Sequence, residues 1–308
     1  MLKHLSISLL LLCVTVVSVA QDFRVPWISC PALEPGGQAW FREVVVLDEP
    51  PAQAWLQVAT DGYVQVYVNE RNVTTAVRLP FRDGVADDGA YATVMDIARF
   101  LTSGRNVVAI HYAPLSSRPT LRQVAAHLWG TYANGAAFSL ITDEDWTCRP
   151  ADARLNKAGD ETIDSRQSAP KWNALEVAMA CWLPAESHPM AFGEADDEEP
   201  VDYTPLDHTQ FIVSPDHIIP THEGLSCVFA MGFEGWVRVT LRNAKAGQRL
   251  RIDDTEYICR GQFDEQACPH FAVRPHRIVQ VVGDEHFLPE QVFSIEGIAI
   301  GPRWMPAY

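Results

Sequence analysis

Positive charge is scarce in this chain. Lys and Arg number 24 against 39 Asp and Glu, a formal net charge of −15. Such a field repels nucleic acid and anionic membranes, so neither is an expected partner. After residue 20 no apolar run is long enough to span a bilayer, so no membrane insertion is expected. The nucleophile elbow G-x-S-x-G, the P-loop and the H-E-x-x-H metal pair are all missing. The cysteine spacings match no zinc pattern. These absences remove the common hydrolase, nucleotide and zinc chemistries from the candidate functions.

Residues Met1 to Ala20 combine Lys3 and His4, an apolar run from Leu5 to Val16, and the small-x-small site Ser18-Val19-Ala20. This is the pattern of a secretory signal peptide, and it predicts an exported protein, periplasmic or secreted. Cys13 follows three leucines rather than the small residues of a lipid-attachment site, which favours a soluble product. Losing the leader removes Lys3 and takes the charge from −15 to −16.

Six cysteines remain, at 30, 148, 181, 227, 259 and 268. An even number in an oxidising compartment predicts disulfides, and six allow 15 connectivities between which the sequence does not choose. Cys259 and Cys268 flank the turn-like GQFDEQA and would make a local pair.

The stretch from Ala54 to Ala113 sets the fold class. Apolar and polar residues alternate through Leu56 and Val58, and again through Tyr63, Gln65 and Tyr67, which is the period of strands with one buried face. Turn chemistry separates the strands at Asp61-Gly62, Asn69 to Asn72, Arg82-Asp83-Gly84, Asp88-Gly89 and Ser103-Gly104. Before it, Ala39 to Val46 reads as an opening strand, with Trp27 and Trp40 as core residues. After it, Met95 to Leu101 reads as a short helical turn or a strand with a turn, and Asn134-Gly135 as the tip of a hairpin within His127 to Leu140. The first sandwich is expected to close near Trp146. GEADDEEP then marks an exposed acidic linker in which Asp196 to Glu199 lack the spaced ligands and Gly turn of a calcium loop.

Strand patterns return at Cys227 to Met231, Gly235 to Leu241, Gln248 to Ile252, Arg277 to Val282 and Phe293 to Ile300. The predicted class is all-β, two β-sandwiches in tandem: residues 21–185, a linker at 186–205, and a second sandwich at 206–308, after a signal peptide at 1–20.

The order of motifs resembles the N-terminal region of bacterial α-L-rhamnosidases. The strand DGYVQVYVN precedes YATVMDIARFL and SGRNVVAIHY, as in that family's galactose-binding-like jelly roll. The series DEDW, GDETIDSR, Trp172 and CWLPA follows the family's connecting segment, and MGFEGWVRVTLRNAKAGQRLRI its second sandwich. Thr255 to Ile258 and Phe293 to Ile300 stand where two further family motifs are expected, so the resemblance runs from about Trp27 to Gly301. Ala299 replaces an Arg of the family pattern, and the MGFEGW turn lacks its Asn. Those losses suit a module that docks no catalytic barrel.

In that family hydrolysis belongs to carboxylates of an (α/α)6 barrel that follows the second sandwich, and no helical repeat occurs here before Tyr308. No catalytic residue carries over, so the resemblance implies an exported carbohydrate-binding or accessory protein. Its partner would be a rhamnose-containing or similar plant or algal glycan, with a separate glycosidase as a further candidate partner. The alternatives are a small glycoside hydrolase using a new site, and an assembly subunit.

Loop oxygens suit sugar hydroxyls and calcium, the one candidate cofactor, and an aromatic face suits a sugar ring. Candidate ligand residues are Phe81, Asp83, Asp87, Asp88, Tyr112 and Arg118. Interface candidates for the enzymatic alternative are Asp160, Glu161, Asp164 and Glu234, although a tie between Asp164 and Arg166 within a connecting segment is the simpler reading than an acid/base or cation cluster. His208, His217 and His222 share a segment expected to be loop-rich, where exposure is the simpler reading than a metal site.

Overall fold

A computed structural model describes residues 25–79, 90–115, 120–189 and 207–302. The signal peptide, residues 190–205 of the acidic linker, Phe81, Asp83, Asp87, Asp88 and Arg118 lie outside the described residues. Residues 186–188, expected to begin the linker, instead form a strand of the first sandwich paired with residues 27–29. Among the described residues there is no α-helix.

The first sandwich begins with β1 (Trp27–Ser29), β2 (Gly37–Leu47), β3 (Gln53–Thr60), β4 (Tyr63–Val68) and β5 (Arg71–Asn72). It continues with β6 (Tyr91–Asp96), β7 (Gly104–Ala113), β8 (Gln123–Thr131), β9 (Ala137–Ile141) and β10 (Thr147–Leu155). After β11 (Glu161–Asp164), the short strands β12 (Leu183–Pro184) and β13 (Glu186–His188) return to it. One layer runs β13-β1-β8-β3-β6, with β9 on β8. The other contains β10-β2-β7-β4-β5, with β12 on β10.

Alternation decides which side chains fill the space between the layers. In β4, Val64, Val66 and Val68 point inward at 1% exposure or less, while Tyr63, Gln65 and Tyr67 point outward. Each buried Val contributes about 1.5–3 kcal/mol, and Phe41, Leu56, Ile110 and Leu128 extend the same core. The expected hairpin forms between β8 and β9, turning through Gly135 at φ 83°. Met95 to Leu101 resolves into the end of β6 and a 3-10 turn at Ala98–Phe100.

The sandwich does not close at Trp146. β10 follows and pairs with β2 and β12, and β13 then pairs with β1. A close approach fixes one turn: at Gly62 any Cβ would collide with the Ala113 carbonyl oxygen.

The second sandwich comprises β14 (Asp207–Val213), β15 (His217–Pro220), β16 (Gly224–Arg242), β17 (Arg249–Ile252), β18 (Thr255–Ile258), β19 (Asp264–Ala267), β20 (Arg274–Gly283) and β21 (Val292–Pro302). β16 is one strand of 19 residues where the sequence suggests two. Its first half pairs with β15 and β20, and its second half with β19 and β21. The register shift between Val228 and Phe233 lets one strand serve both faces. Phe229, Val237, Val239, Leu241, Val279 and Val281 fill the second core.

The two sandwiches share a sheet. β10 turns through Asn156 to Asp160 into β11, and β11 lies parallel to β18, with Ile163 opposite Tyr257. Ala153 and Ile163 thereby join the second core, although they precede the acidic linker in sequence. Ala113, Leu155, Phe271 and Ala272 form a small apolar cluster at the junction.

All six described cysteines are free thiols. Cys259 is fully buried in the second core, whereas the half-buried Cys268 faces the surroundings of Arg238, Glu161 and Glu296, so the structure does not bring the expected local pair together.

Candidate functional site

A cleft of about 460 Å³ opens on the second sandwich beside the β10–β11 hairpin. That size lies within the range of small-ligand sites. Its polar wall is the β17–β18 hairpin, whose register pairs Ile252 with Thr255 and leaves Asp253-Asp254 as a two-residue turn. Asp253 takes φ 49°, a conformation Asp tolerates better than most residues. Its N–H donates to the Gln280 carbonyl (2.9 Å), its Oδ1 accepts from the Gln280 N–H (2.8 Å), and its Oδ2 lies 3.3 Å from His276 Nδ1. The turn is thereby fixed to β20.

Across the cleft, Arg274 Nη2 donates to Asp160 Oδ1 (2.9 Å), while Asn156 Nδ2 donates to Asp160 Oδ2 (3.0 Å). Arg274 also donates to the Ala158 carbonyl. Three polar groups in the lining have no partner among the described residues: the Arg251 guanidinium, the Asp254 carboxylate and the Thr255 hydroxyl. Pro269, Ala272, Pro275, Val237 and Ile252 supply apolar surface, and the lining contains no Trp, Tyr or Phe. Two donors and an acceptor above an apolar floor can hydrogen-bond a polyhydroxylated ring.

Glu161 holds the other side of the cleft in place. Its carboxylate is 1% exposed. Oε2 accepts the backbone N–H groups of His270 (2.7 Å), Phe271 (3.1 Å) and Ala272 (3.1 Å), and Oε1 accepts from Gln38 Nε2 on β2. Three successive amides converging on one oxygen form an anion nest, here filled by the protein's own carboxylate.

Beneath this lies the outer face of the β10-β2-β7-β4 layer. Register places Arg149, Trp40, His111 and Gln65 in one row, and Thr147, Arg42, Ala109 and Tyr67 in the next. Residues 165–185 cover these rows. Trp172 stacks on Trp40 (5.5 Å, 14°) and meets Tyr67 edge-on, while Arg42 donates to the Ala174 carbonyl (2.7 Å). Trp40 Nε1, Trp182 Nε1 and His111 Nε2 are buried there without a hydrogen-bond partner among the described residues.

Burial, reinforced by the nearby His270, holds the His111 imidazole well below its usual pKa. Burial pushes His270 the same way, but the Asp152 carboxylate 3.4 Å from its Nε2 outweighs this and raises it.

The residues singled out from sequence fall into distinct places. Tyr112 is fully buried, not part of a ligand platform: its hydroxyl donates to Asp61 Oδ1 (2.9 Å) and sits 3.2 Å from Thr120 Oγ1. Asp160 lines the cleft, and Glu161 is sealed behind it. Asp164 caps the 3-10 turn Ser165–Gln167 and binds Arg166 through both carboxylate oxygens (2.8 Å each), the structural tie its spacing suggested. Glu234 is exposed on β16 opposite Pro275, outside the lining. The four interface candidates therefore do not assemble into one catalytic group.

His208 and His217 lie on strands rather than loops, because the segment forms β14 and β15. Among the described residues no three His, Cys, Asp or Glu side chains gather as a metal would require. Sequence reasoning missed Arg251, Asp253, Asp254 and Arg274. The Asp-Asp pair between RLRI and TEYI was the available turn signal.

The sequence profile of the α-L-rhamnosidase N-terminal domain matches residues 49–204, about half of the chain. No curated protein matches. Among solved structures, the α-L-rhamnosidase from Dictyoglumus thermophilum is similar with a TM-score of 0.74 at 16% identity, covering 92% of this chain and 36% of that one. The Aspergillus terreus α-L-rhamnosidase gives 0.74 at 16% identity, covering 91% and 36%. The Streptomyces avermitilis α-L-rhamnosidase, solved in complex with L-rhamnose, gives 0.67 at 18% identity, covering 87% and 29%. At these identities the likeness is one of fold, and the chain spans about a third of the length of the structures it matches.

Proposed function

This chain belongs to the α-L-rhamnosidase N-terminal domain family, and on that premise we propose that it is an exported, non-catalytic carbohydrate-binding or accessory protein for rhamnose-containing glycans. The single observation that carries the proposal is the cleft beside the β10–β11 hairpin, where Arg251, Asp254 and Thr255 stand unpartnered over an apolar floor. A methylpentose presents vicinal hydroxyls on one side and a methyl group on the other. Asp254 accepts from the hydroxyls, Arg251 and Thr255 donate to them, and Pro269, Ala272 and Ile252 receive the apolar part.

The neighbouring carboxylates do not favour hydrolysis. An inverting glycosidase needs two carboxyl groups free to act across the sugar. Asp160 is ion-paired with Arg274, Asp253 is bound to β20, Asp164 is held by Arg166, and Glu161 is enclosed. Export rests on the leader sequence at Met1 to Ala20.

The test is calorimetric titration of the purified protein with L-rhamnose and rhamnose-containing oligosaccharides, with and without calcium, while the same mixtures are assayed for released reducing sugar. Without an aromatic platform the expected monosaccharide dissociation constant is on the order of 1 mM. Binding without sugar release supports the proposal. Absence of binding, or release of reducing sugar, overturns it.

A further inference from the structure

The first sandwich contains two neighbouring thiols in one buried cluster. Cys30 directly follows β1 in one layer, and Cys148 lies on β10 in the other. They are 5% and 0% exposed and belong to the same apolar core. Cys148 Sγ is 3.9 Å from the Ser29 carbonyl oxygen, one peptide unit from Cys30, and 3.8 Å from the Pro184 carbonyl oxygen. The Cys148 thiol is near enough to Cys30 that the pair lowers the Cys30 pKa and raises that of Cys148. Neither Cys227 nor Cys259, both in the second core, shares this arrangement.

We propose that Cys30 and Cys148 are a disulfide-forming pair whose oxidation staples the two layers of the first sandwich together. The pair is independent of the sugar site. It joins strands from different sheets across the interior, and it closes a loop that contains β2 to β9.

The co-reactant is a low-molecular-weight disulfide or a disulfide-bearing oxidoreductase. One cysteine thiolate attacks that disulfide, forming a mixed disulfide and expelling a thiolate. The second cysteine, as thiolate, then attacks the mixed disulfide and expels the other thiolate. The two cysteines together lose two protons and two electrons, and the co-reactant disulfide is reduced to two thiols.

Burial sets the timing. An oxidant cannot reach a pair with 5% and 0% exposure inside the closed sandwich, so exchange belongs to folding, before the layers meet. The linked chain loses loop-closure entropy in its unfolded state only, which raises stability without changing the native contacts.

The experiment is refolding of the reduced, denatured full chain by dilution into a mixture of reduced and oxidised glutathione. Residual thiols are alkylated under denaturing conditions, followed by peptide mapping and urea unfolding. The expected result is a Cys30–Cys148 linked peptide in most of the refolded protein and a higher urea midpoint than in protein refolded with reductant. Protein folded first under reduction and only then given oxidised glutathione should stay unlinked far longer. C30A and C148A should lose both the linked peptide and the midpoint difference, while C259A keeps both. Should C30A and C148A fail to fold, the wild-type peptide map decides alone. A map in which Cys30 and Cys148 remain free, or are linked to other cysteines, overturns the proposal.

Discussion

Replacing Glu161 with Ala removes the acceptor of four hydrogen bonds at once. Three come from the consecutive amides of His270, Phe271 and Ala272, and the fourth from the Gln38 side chain. The carboxylate is 1% exposed, so water does not take its place in an unrelaxed structure. A buried donor left unsatisfied costs about 1–3 kcal/mol, and removing one partner of a buried charged network costs about 3–5 kcal/mol in total. We therefore expect E161A to lose about 4 kcal/mol, a large share of the roughly 5–15 kcal/mol of a typical domain. With a urea m-value of about 3 kcal/mol/M, the midpoint falls by about 1.3 M.

E161Q keeps one amide oxygen for the nest and should lose about half as much. Tryptophan fluorescence in urea measures the midpoint, and hydrogen exchange at residues 270–272 reports the nest locally. If E161A stays within about 0.5 kcal/mol of wild type and the amides of His270, Phe271 and Ala272 keep their protection, Glu161 does not anchor this segment and its role in the nest is refuted.

R251A and D254A should each weaken L-rhamnose binding by about tenfold, the loss of about 1.4 kcal/mol, while leaving the melting temperature unchanged; equal affinity in calorimetry would move the site elsewhere. His111 is held neutral in the fold but takes a proton near its ordinary value when unfolded, so its contribution to stability falls as pH drops below about 6.5. His270 acts oppositely, contributing fully below about 6.5 and less as pH rises through its elevated folded value. H111Q should therefore close its stability gap to wild type by about 1 kcal/mol per pH unit between pH 6.5 and 5.5, and parallel urea-midpoint profiles would refute this. Burial, with Asp143 and Asp145 nearby, raises the partly buried Glu43 to about 7. Its proton stabilises the fold below pH 4.5 and is lost as pH rises through 7, so E43Q should gain about 1 kcal/mol at pH 8 after allowance for solvent screening and nothing at pH 4, as read by thermal melts.

The strands were legible because alternation and turn chemistry are local. Val64, Val66 and Val68 face inward and Tyr63, Gln65 and Tyr67 outward simply because β4 has a period of two. Asp164 and Arg166 lie two residues apart, and their tie is equally visible in the string. What pattern could not reveal depends on strands distant in sequence. Tyr112 looked like a loop aromatic, but β7 extends to Ala113 and buries it against Asp61. Gln38 and the amides of 270–272 meet Glu161 only because the sheet carries them there. The pattern ends one strand at Met231 and starts another at Gly235 because Gly232 reads as a turn, whereas the register shift between Val228 and Phe233 is a bulge inside a single strand. The cleft escaped notice because its Asp-Asp turn is chemically ordinary until Arg274 and Asp160 stand across from it.

The parallel pairing of β11 with β18 decides how this protein can be cut. Composition invites a cut in the acidic stretch before residue 207, but β11, upstream of it, is a strand of the sheet completed downstream. A fragment starting at Asp207 would leave β18 with an open edge, remove Ile163 from its core, and strip the Glu161 carboxylate from the amides of 270–272. Expressed alone, such a piece would offer a bare pairing surface to any neighbouring chain and tend to self-associate. The two halves are separable on paper at a place where the backbone hydrogen bonds do not separate them.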